Sequence, residues 1–323
     1  MVETHSVPFV SVIVPALDGT TSVRDCIYSL MNTDYPAAQR EILVVGQGST
    51  DGMADLVRTF SVRYLCEERR GVCYARNRGV EASGGSILAF TDPDCVVSRG
   101  WLRELVLAFE EESVGGVAGE VVPYPAITPA ERYAARRRSH SQQRPLKHPV
   151  RPFAMLSNLA FRREVFERIG LLDTRFPGRG WEDADLCWRF SRGTGWKLAY
   201  APRAVVFHRY RTSAKDFFIQ HVRYGHGLGL IYSKYTGELG SGWRERVRAL
   251  GDLGKAACSL TSSLLRHEVG RDKPGELDPA YFDLLRKLGQ RLGFLGAAFS
   301  RVRFRSSTCR TESVSPVPVP TRE

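Results

Sequence analysis

The sequence has no apolar run near the roughly 20 residues that a membrane-spanning helix needs, and no internal repeat. Its 323 residues include seven cysteines, and none of them forms a C-x-x-C pair. They are scattered and odd in number, which argues against a disulfide framework and against a zinc site, and makes a reducing cytoplasm the expected compartment. The opening Met1 to Ser6 carries no basic stretch of the signal-peptide kind. A chain that does not cross a membrane is therefore expected. Two other signatures are missing. A Gly-rich, Lys-containing triphosphate loop near the first apolar run would mark a nucleotidyltransferase. Zinc-finger, basic-zipper or aromatic-rich RNA-binding patterns would mark a nucleic-acid binder. Neither class is expected.

What is present is ordinary globular composition, with 43% hydrophobic and 25% charged residues. The net charge of +11 suits an anionic partner: nucleotide phosphates, nucleic acid or an anionic membrane surface. The first ninety-odd residues alternate. Short apolar runs at Phe9 to Val14, Glu41 to Val45, Val62 to Cys66 and Ser86 to Phe90 are separated by helical patterns at Ser22 to Met31, Asp51 to Phe60 and Gly71 to Ala82. Continuously apolar strands between helices predict an α/β fold with a mainly parallel sheet covered on both faces. Ligands in such folds bind beyond the carboxyl ends of the strands. A further helix is expected from Trp101 to Glu112, then helices at Arg163 to Ile169 and Trp181 to Arg192, and strands ending near Tyr200 and His208. The arginine-crowded stretch 131–152 is expected to be a mobile basic loop, at least in its second half. Residues 1–210 form the expected α/β domain, divided near 95 where the regular alternation ends. Residues 211–312 form a basic helical extension, and 313–323, with three prolines, a disordered tail.

Three constellations could carry chemistry. The apolar run ending at Phe90 leads into Thr91-Asp92-Pro93-Asp94. The residue before proline is pushed toward extended geometry, and proline stiffens the turn. Two carboxylates two apart in an extended segment point the same way and can meet one Mg²⁺ or Mn²⁺. An Asp-Pro turn capping the next helix is the plainer alternative. Glu182, Asp183 and Asp185 follow Gly178, Gly180 and Trp181 and lie in the first turn of a helix, where the dipole favours carboxylates. That position could mean charge matching alone, or a close-packed loop over a ligand. His208 ends a β-branched run. A lone histidine is more often structural, and it gains interest as a further ligand if the cation exists.

Taken in order, Val12-Ile-Val-Pro15-Ala16-Leu-Asp18, Glu41 to Gly52, Ala75-Arg76-Asn77-Arg78-Gly79, Asp92-Pro93-Asp94, Ser157 to Arg163, Trp181-Glu182-Asp183-Ala-Asp185 and Val205 to His208 resemble the family 2 glycosyltransferases of GT-A fold over about residues 9 to 210. The resemblance implies that Pro15, Ala16, Asp18, Gln47, Arg76 and Pro93 line a nucleotide pocket, with Asp92 near the ribose. It implies that Asp94 holds the cation on the diphosphate, with His208 as a further ligand. Asp183 would be the general base that deprotonates the acceptor hydroxyl, and Asn158, Trp181 and Glu182 would face sugar or acceptor. With no second carboxylate placed as a nucleophile, a single inverting displacement is expected. A sugar-nucleotide binder without activity is the alternative. The family usually has two aspartates where this chain has Gly46 and Gln47, and one of them commonly hydrogen-bonds the nucleobase. Gln47 offers both donor and acceptor, so UDP-, GDP- and dTDP-sugars stay open.

Beyond Lys215 the pattern is helical and basic. Leu284, Leu285, Leu288, Leu292 and Leu295 recur at helical spacing, with Arg286, Lys287 and Arg291 between them. Such a helix can pack back on the catalytic domain with a solvated basic face, or lie on an anionic membrane. The second is expected here, on the inner face of the cell membrane, because many family 2 enzymes act on lipid-linked acceptors.

Overall fold

The computed structural model describes residues 7–16, 20–47, 52–148, 151–176, 180–239 and 277–297, with scattered helical positions between 247 and 262. Four apolar segments form the parallel half of one eight-stranded sheet: β1 (Val10–Ala16), β2 (Arg40–Gln47), β3 (Arg63–Glu67) and β4 (Ile87–Thr91). All seven residues of β1 are buried, as expected of a central strand covered on both sides. Helices α1 (Thr20–Met31), α2 (Met53–Arg58) and α3 (Val72–Ala82) make the crossovers. β1 pairs in parallel with β2 on one side and β4 on the other. Successive side chains alternate faces. Val12 and Val14 pack with Ile27 and Trp101, while Ile13 packs with Phe90 and Phe161 on the opposite face.

The second half is mixed. It contains β5 (Cys95–Val97), α4 (Trp101–Leu107), β6 (Val114–Pro123), α5 (Pro129–Arg136), α6 (Gln143–Leu146), β7 (Asn158–Arg162), α7 (Arg163–Ile169), α8 (Glu182–Gly193) and β8 (Lys197–His208). Along the sheet the strands run β3-β2-β1-β4-β7-β6-β8-β5. β7 is antiparallel to β4 and β6, β6 and β8 are parallel, and β5 returns antiparallel on the edge of β8. β8 is one strand of 12 residues where two were expected; its pairing with β6 shifts register between Gly119 and Glu120. That irregularity interrupts the alternation along the strand.

The basic stretch 131–152 carries more order than a loop. Thr128 and Glu131 cap α5 reciprocally, α6 follows, and His140, Ser141 and Gln142 between them are buried. Two long helices complete the described chain: α9 (Ala214–Lys234) and, after the short α10 (Thr236–Leu239), α11 (Leu277–Ala297). They approach closely because glycines of each helix face the backbone of the other. A Cβ on Gly225 would collide with the carbonyl of Gln290, and one on Gly293 with that of Val222. Tyr133 of α5, Phe217 of α9 and Phe282 of α11 seal the triple junction, with Phe217 and Phe282 edge to face at 5.3 Å. The face of α11 that is buried carries Phe282, Gly289, Gly293 and Phe294. Leu284, Leu285 and Leu288 are half-buried, and Tyr281, Leu292 and Leu295 are exposed. The expected tail, 313–323, lies outside the described residues.

Candidate functional site

The carboxyl ends of β1, β2 and β4 and the end of β8 converge on one region. Antiparallel pairing of β5 with β8 sets Cys95 opposite His208, so the turn that precedes β5 is folded against the last residue of β8. Asp94 Oδ1 lies 3.5 Å from His208 Nε2, and Asp94 Oδ2 lies 3.5 Å from Arg211. The backbone repeats the connection, since Arg209 N–H donates to the Asp94 carbonyl at 2.9 Å. One ligand atom each from Asp94, Cys95 and His208 falls within 4.8 Å of the others. The carboxylate suits Mg²⁺ or Mn²⁺, and the imidazole, a nitrogen donor of borderline softness, sits better on Mn²⁺ than on Mg²⁺, so Asp94 and His208 fit such an ion. The Cys95 thiol is a softer donor, and burial, with the charge of Asp94 beside it, pushes it well above the ordinary thiol range.

The two carboxylates of the Asp-Pro-Asp turn part company. Asp92 Oδ1 accepts from Arg76 at 2.8 Å, and the other arm of Arg76 reaches Glu182 Oε1 at 2.9 Å. Burial works against the Arg76 charge, but Asp92 and Glu182 outweigh it and hold the guanidinium above the usual arginine range. Glu182 also accepts from the Gly180 N–H at 2.6 Å. Its side chain is thus fully engaged within the protein, where the resemblance implied contact with sugar or acceptor.

The carboxylates at the start of α8 divide their roles by partner. Glu182 pairs with Arg76. Asp185 is fully buried and pairs with Arg189 at 3.0 Å and Lys234 at 2.5 Å, and accepts from the Tyr235 hydroxyl at 2.7 Å. Asp183 alone of the three has no ion-pair partner among the described residues; its Oδ1 accepts from Ala184 N–H at 2.8 Å. Burial, reinforced by the charge of Glu182, pushes its carboxyl up to about 7. Trp181 precedes it in the left-handed region, φ 72°, which costs a bulky residue about 1–3 kcal/mol. Such strain is usually stored at sites of function, and here it sets both the Trp181 indole and the entry of Asp183.

Pro15 and Ala16 are buried at the end of β1, and Pro93 is buried in the turn after β4. Asp18 lies outside the described residues. Gln47 is committed elsewhere than to a base edge: its amide nitrogen donates to the Gly71 carbonyl and its oxygen accepts from Gly71 N–H, fastening β2 to the start of α3. Beside it, a side chain on Gly46 would collide with the Tyr64 hydroxyl, so tyrosine occupies the space where the family's first aspartate would project. Asn158 also departs from expectation. It is fully buried, donates to the carbonyls of Glu120 and Ala204 at 2.8 Å each, and accepts from Trp101 Nε1 at 2.8 Å. It stitches β6, β8 and α4 together and has no group left for a sugar.

Sequence reasoning missed His140 and Tyr224. His140 is a lone histidine in an arginine-rich stretch, and Tyr224 sits in a helix beyond the recognisable motifs; nothing local signals either. In the structure the His140 ring stacks on His208, and its Nε2 is 3.1 Å from the Tyr224 hydroxyl.

The profile described as "Glycosyl transferase family 2" matches residues 11–170. Glycosyltransferase AglE of Haloferax volcanii is 33% identical over 214 residues, 64% of this chain and 68% of that one. The glucosyl-dolichyl phosphate glucuronosyltransferase of the same organism is 29% identical over 168 residues, 47% of this chain and 52% of its own length. Among solved structures, the mannosyltransferase PcManGT from Pyrobaculum calidifontis, in complex with GDP-Man and Mn²⁺, is similar with a TM-score of 0.60 and 20% identity across 88% of each chain.

Proposed function

The chain belongs to glycosyl transferase family 2 and is a glycosyltransferase of nucleotide-sugar donors; from that premise we propose that it inverts the anomeric centre in a single displacement, with Asp183 as the base. The observation that carries this reading is the isolation of Asp183. Its neighbours Glu182 and Asp185 are neutralised by Arg76 and by Lys234, whereas Asp183 keeps a raised pKa near 7 and has no counter-ion among the described residues. A base poised near the working pH combines the right protonation state with a real affinity for the proton. Asp183 takes the proton of the acceptor hydroxyl as that oxygen bonds to the anomeric carbon, and the bond to the diphosphate oxygen breaks on the opposite face. Asp94 and His208 would hold Mg²⁺ or Mn²⁺, which supplies neutralising charge for the leaving diphosphate. Arg76 spends both terminal nitrogens on Glu182 and Asp92, so its role is to lock them as walls of the pocket.

The test compares two neighbours. Asp183→Asn is expected to lower kcat by about 10²–10⁴-fold with donor affinity nearly unchanged. Glu182→Gln is expected to lose stability first. Activity retained in Asp183→Asn, or a product with the donor's anomeric configuration, would overturn the mechanism. The donor is sought by thermal shift with UDP-, GDP- and dTDP-sugars in Mn²⁺. GDP-mannose comes first, because the similar solved enzyme holds it.

For the acceptor, a lipid-linked hydroxyl at an anionic membrane surface is the reading we favour. Its support is the net charge of +11, the exposed Tyr281, Leu292 and Leu295 on α11, and the dolichyl-linked substrate in the relative's name; the basic residues of that helix are spent within the protein, Arg286 and Lys287 on Asp283 and Arg291 on Asp252. Among the described residues no helix is long and apolar enough to cross a membrane, so contact would be peripheral.

A further inference from the structure

Three aromatic rings are buried together where β8 ends. The imidazole of His140 stacks on that of His208, centroids 4.2 Å apart and planes 15° from parallel. Tyr210 lies against both, at 5.3 and 5.6 Å. His140 comes from the connection between α5 and α6 and is 8% exposed, and its Nε2 shares a 3.1 Å hydrogen bond with the Tyr224 hydroxyl of α9. Neither its Nδ1 nor that of His208 finds a protein partner among the described residues.

Stability alone is a poor account of this arrangement. A buried polar atom without a partner costs energy, and an apolar ring of similar size would fill the space without that cost. The ion site gives a better one. A histidine that ligates a metal is ordinarily oriented by a hydrogen bond from its second ring nitrogen, and His208 Nδ1 has none. The terminal torsion of a histidine is broad, so without such a tether the ring would swing. We propose that His140 is the positioning residue of the ion site: its stacked ring, itself tethered to Tyr224, fixes the plane of His208 so that Nε2 stays on Asp94. The inference rests on Asp94 and His208 being the ion ligands. It makes ion affinity depend on a contact chain running from β8 through the α5–α6 connection to α9.

Mn²⁺ alone, titrated into the full chain and followed by the EPR signal of the free ion, tests this directly. The wild type is expected to bind, and His208→Ala to weaken binding by roughly ten- to a hundredfold. His140→Ala is expected to weaken it by about tenfold, and His140→Phe, which keeps a ring to stack, to recover to within about threefold of wild type. Wild-type affinity in His140→Ala alongside lost affinity in His208→Ala would overturn the positioning role and leave the ion site standing. Wild-type affinity in both Asp94→Ala and His208→Ala would overturn the ion site and the inference with it. If His140→Ala fails to fold, His140→Phe decides alone. A folded His140→Phe that has lost more than tenfold in affinity shows that the nitrogens matter and the stack does not, which also overturns the proposal.

Discussion

Asp183 and Glu182 are adjacent in sequence and opposite in physics. Asp183 holds its proton up to about pH 7, so it can act as a base only above that value. The expected pH profile of kcat/KM falls about tenfold per unit below pH 7 and flattens above it, as a single essential base requires. The same shift has a stability sign. A carboxyl whose folded pKa is raised favours folding while protonated, and that contribution is lost as pH rises through about 7. Asp183→Asn should therefore show a higher denaturation midpoint than wild type above pH 7, the mark of a side chain kept for function. Glu182→Gln should do the reverse. It leaves the buried Arg76, 4% exposed, with one counter-charge fewer, and breaking a buried ion pair costs up to about 3–5 kcal/mol. Urea midpoints of the two variants at pH 8 separate these outcomes. The sequence pattern made the cluster visible but could not rank its members, because the ranking depends on Arg76 and Lys234, which are 106 positions from Glu182 and 49 from Asp185 in the chain and near only in the fold.

Among the elements, legibility followed composition. β1, β2 and β4 are continuous apolar runs and were readable to within a residue or two, since strands covered on both faces need such runs. β6 was not, because it begins Val114-Gly-Gly-Val-Ala-Gly119 and glycine is depleted in strands. β5, three residues long, has no local signal at all, yet it sets Cys95 opposite His208. In α9 and α11 the helical pattern was plain, but nothing local signals what the glycines within them do. They are the packing surface. Gly293→Leu would drive a side chain into the Val222 carbonyl and should cost about 1–3 kcal/mol or more by overpacking, seen as a lowered Tm. Gly296→Ala, which meets nothing within 4 Å, is the control and should be neutral or slightly stabilising.

For the molecule as a whole, charge and the outer face of α11 set the largest-scale expectation. The full chain should co-sediment with vesicles containing anionic lipid at low salt, and lose that binding in high salt or in neutral vesicles. Recovery of the chain in the supernatant with anionic vesicles at low salt would remove the membrane from the proposal and point to a small, freely diffusing acceptor. A second consequence comes from α9. The family profile ends at residue 170, and the recognisable motifs end near 210. Yet Asp185, paired within α8 to Arg189, takes its second counter-charge from Lys234, and His140 takes its tether from Tyr224, both on α9. The unit that the family profile recognises is therefore smaller than the unit that completes these buried contacts. Exchanging C-terminal halves between relatives to transplant acceptor preference would succeed only if the incoming half brought a cation and a phenol to those two places. In this enzyme modularity is limited by electrostatics: what looks like an interchangeable appendage supplies one of the two cations on a buried carboxylate.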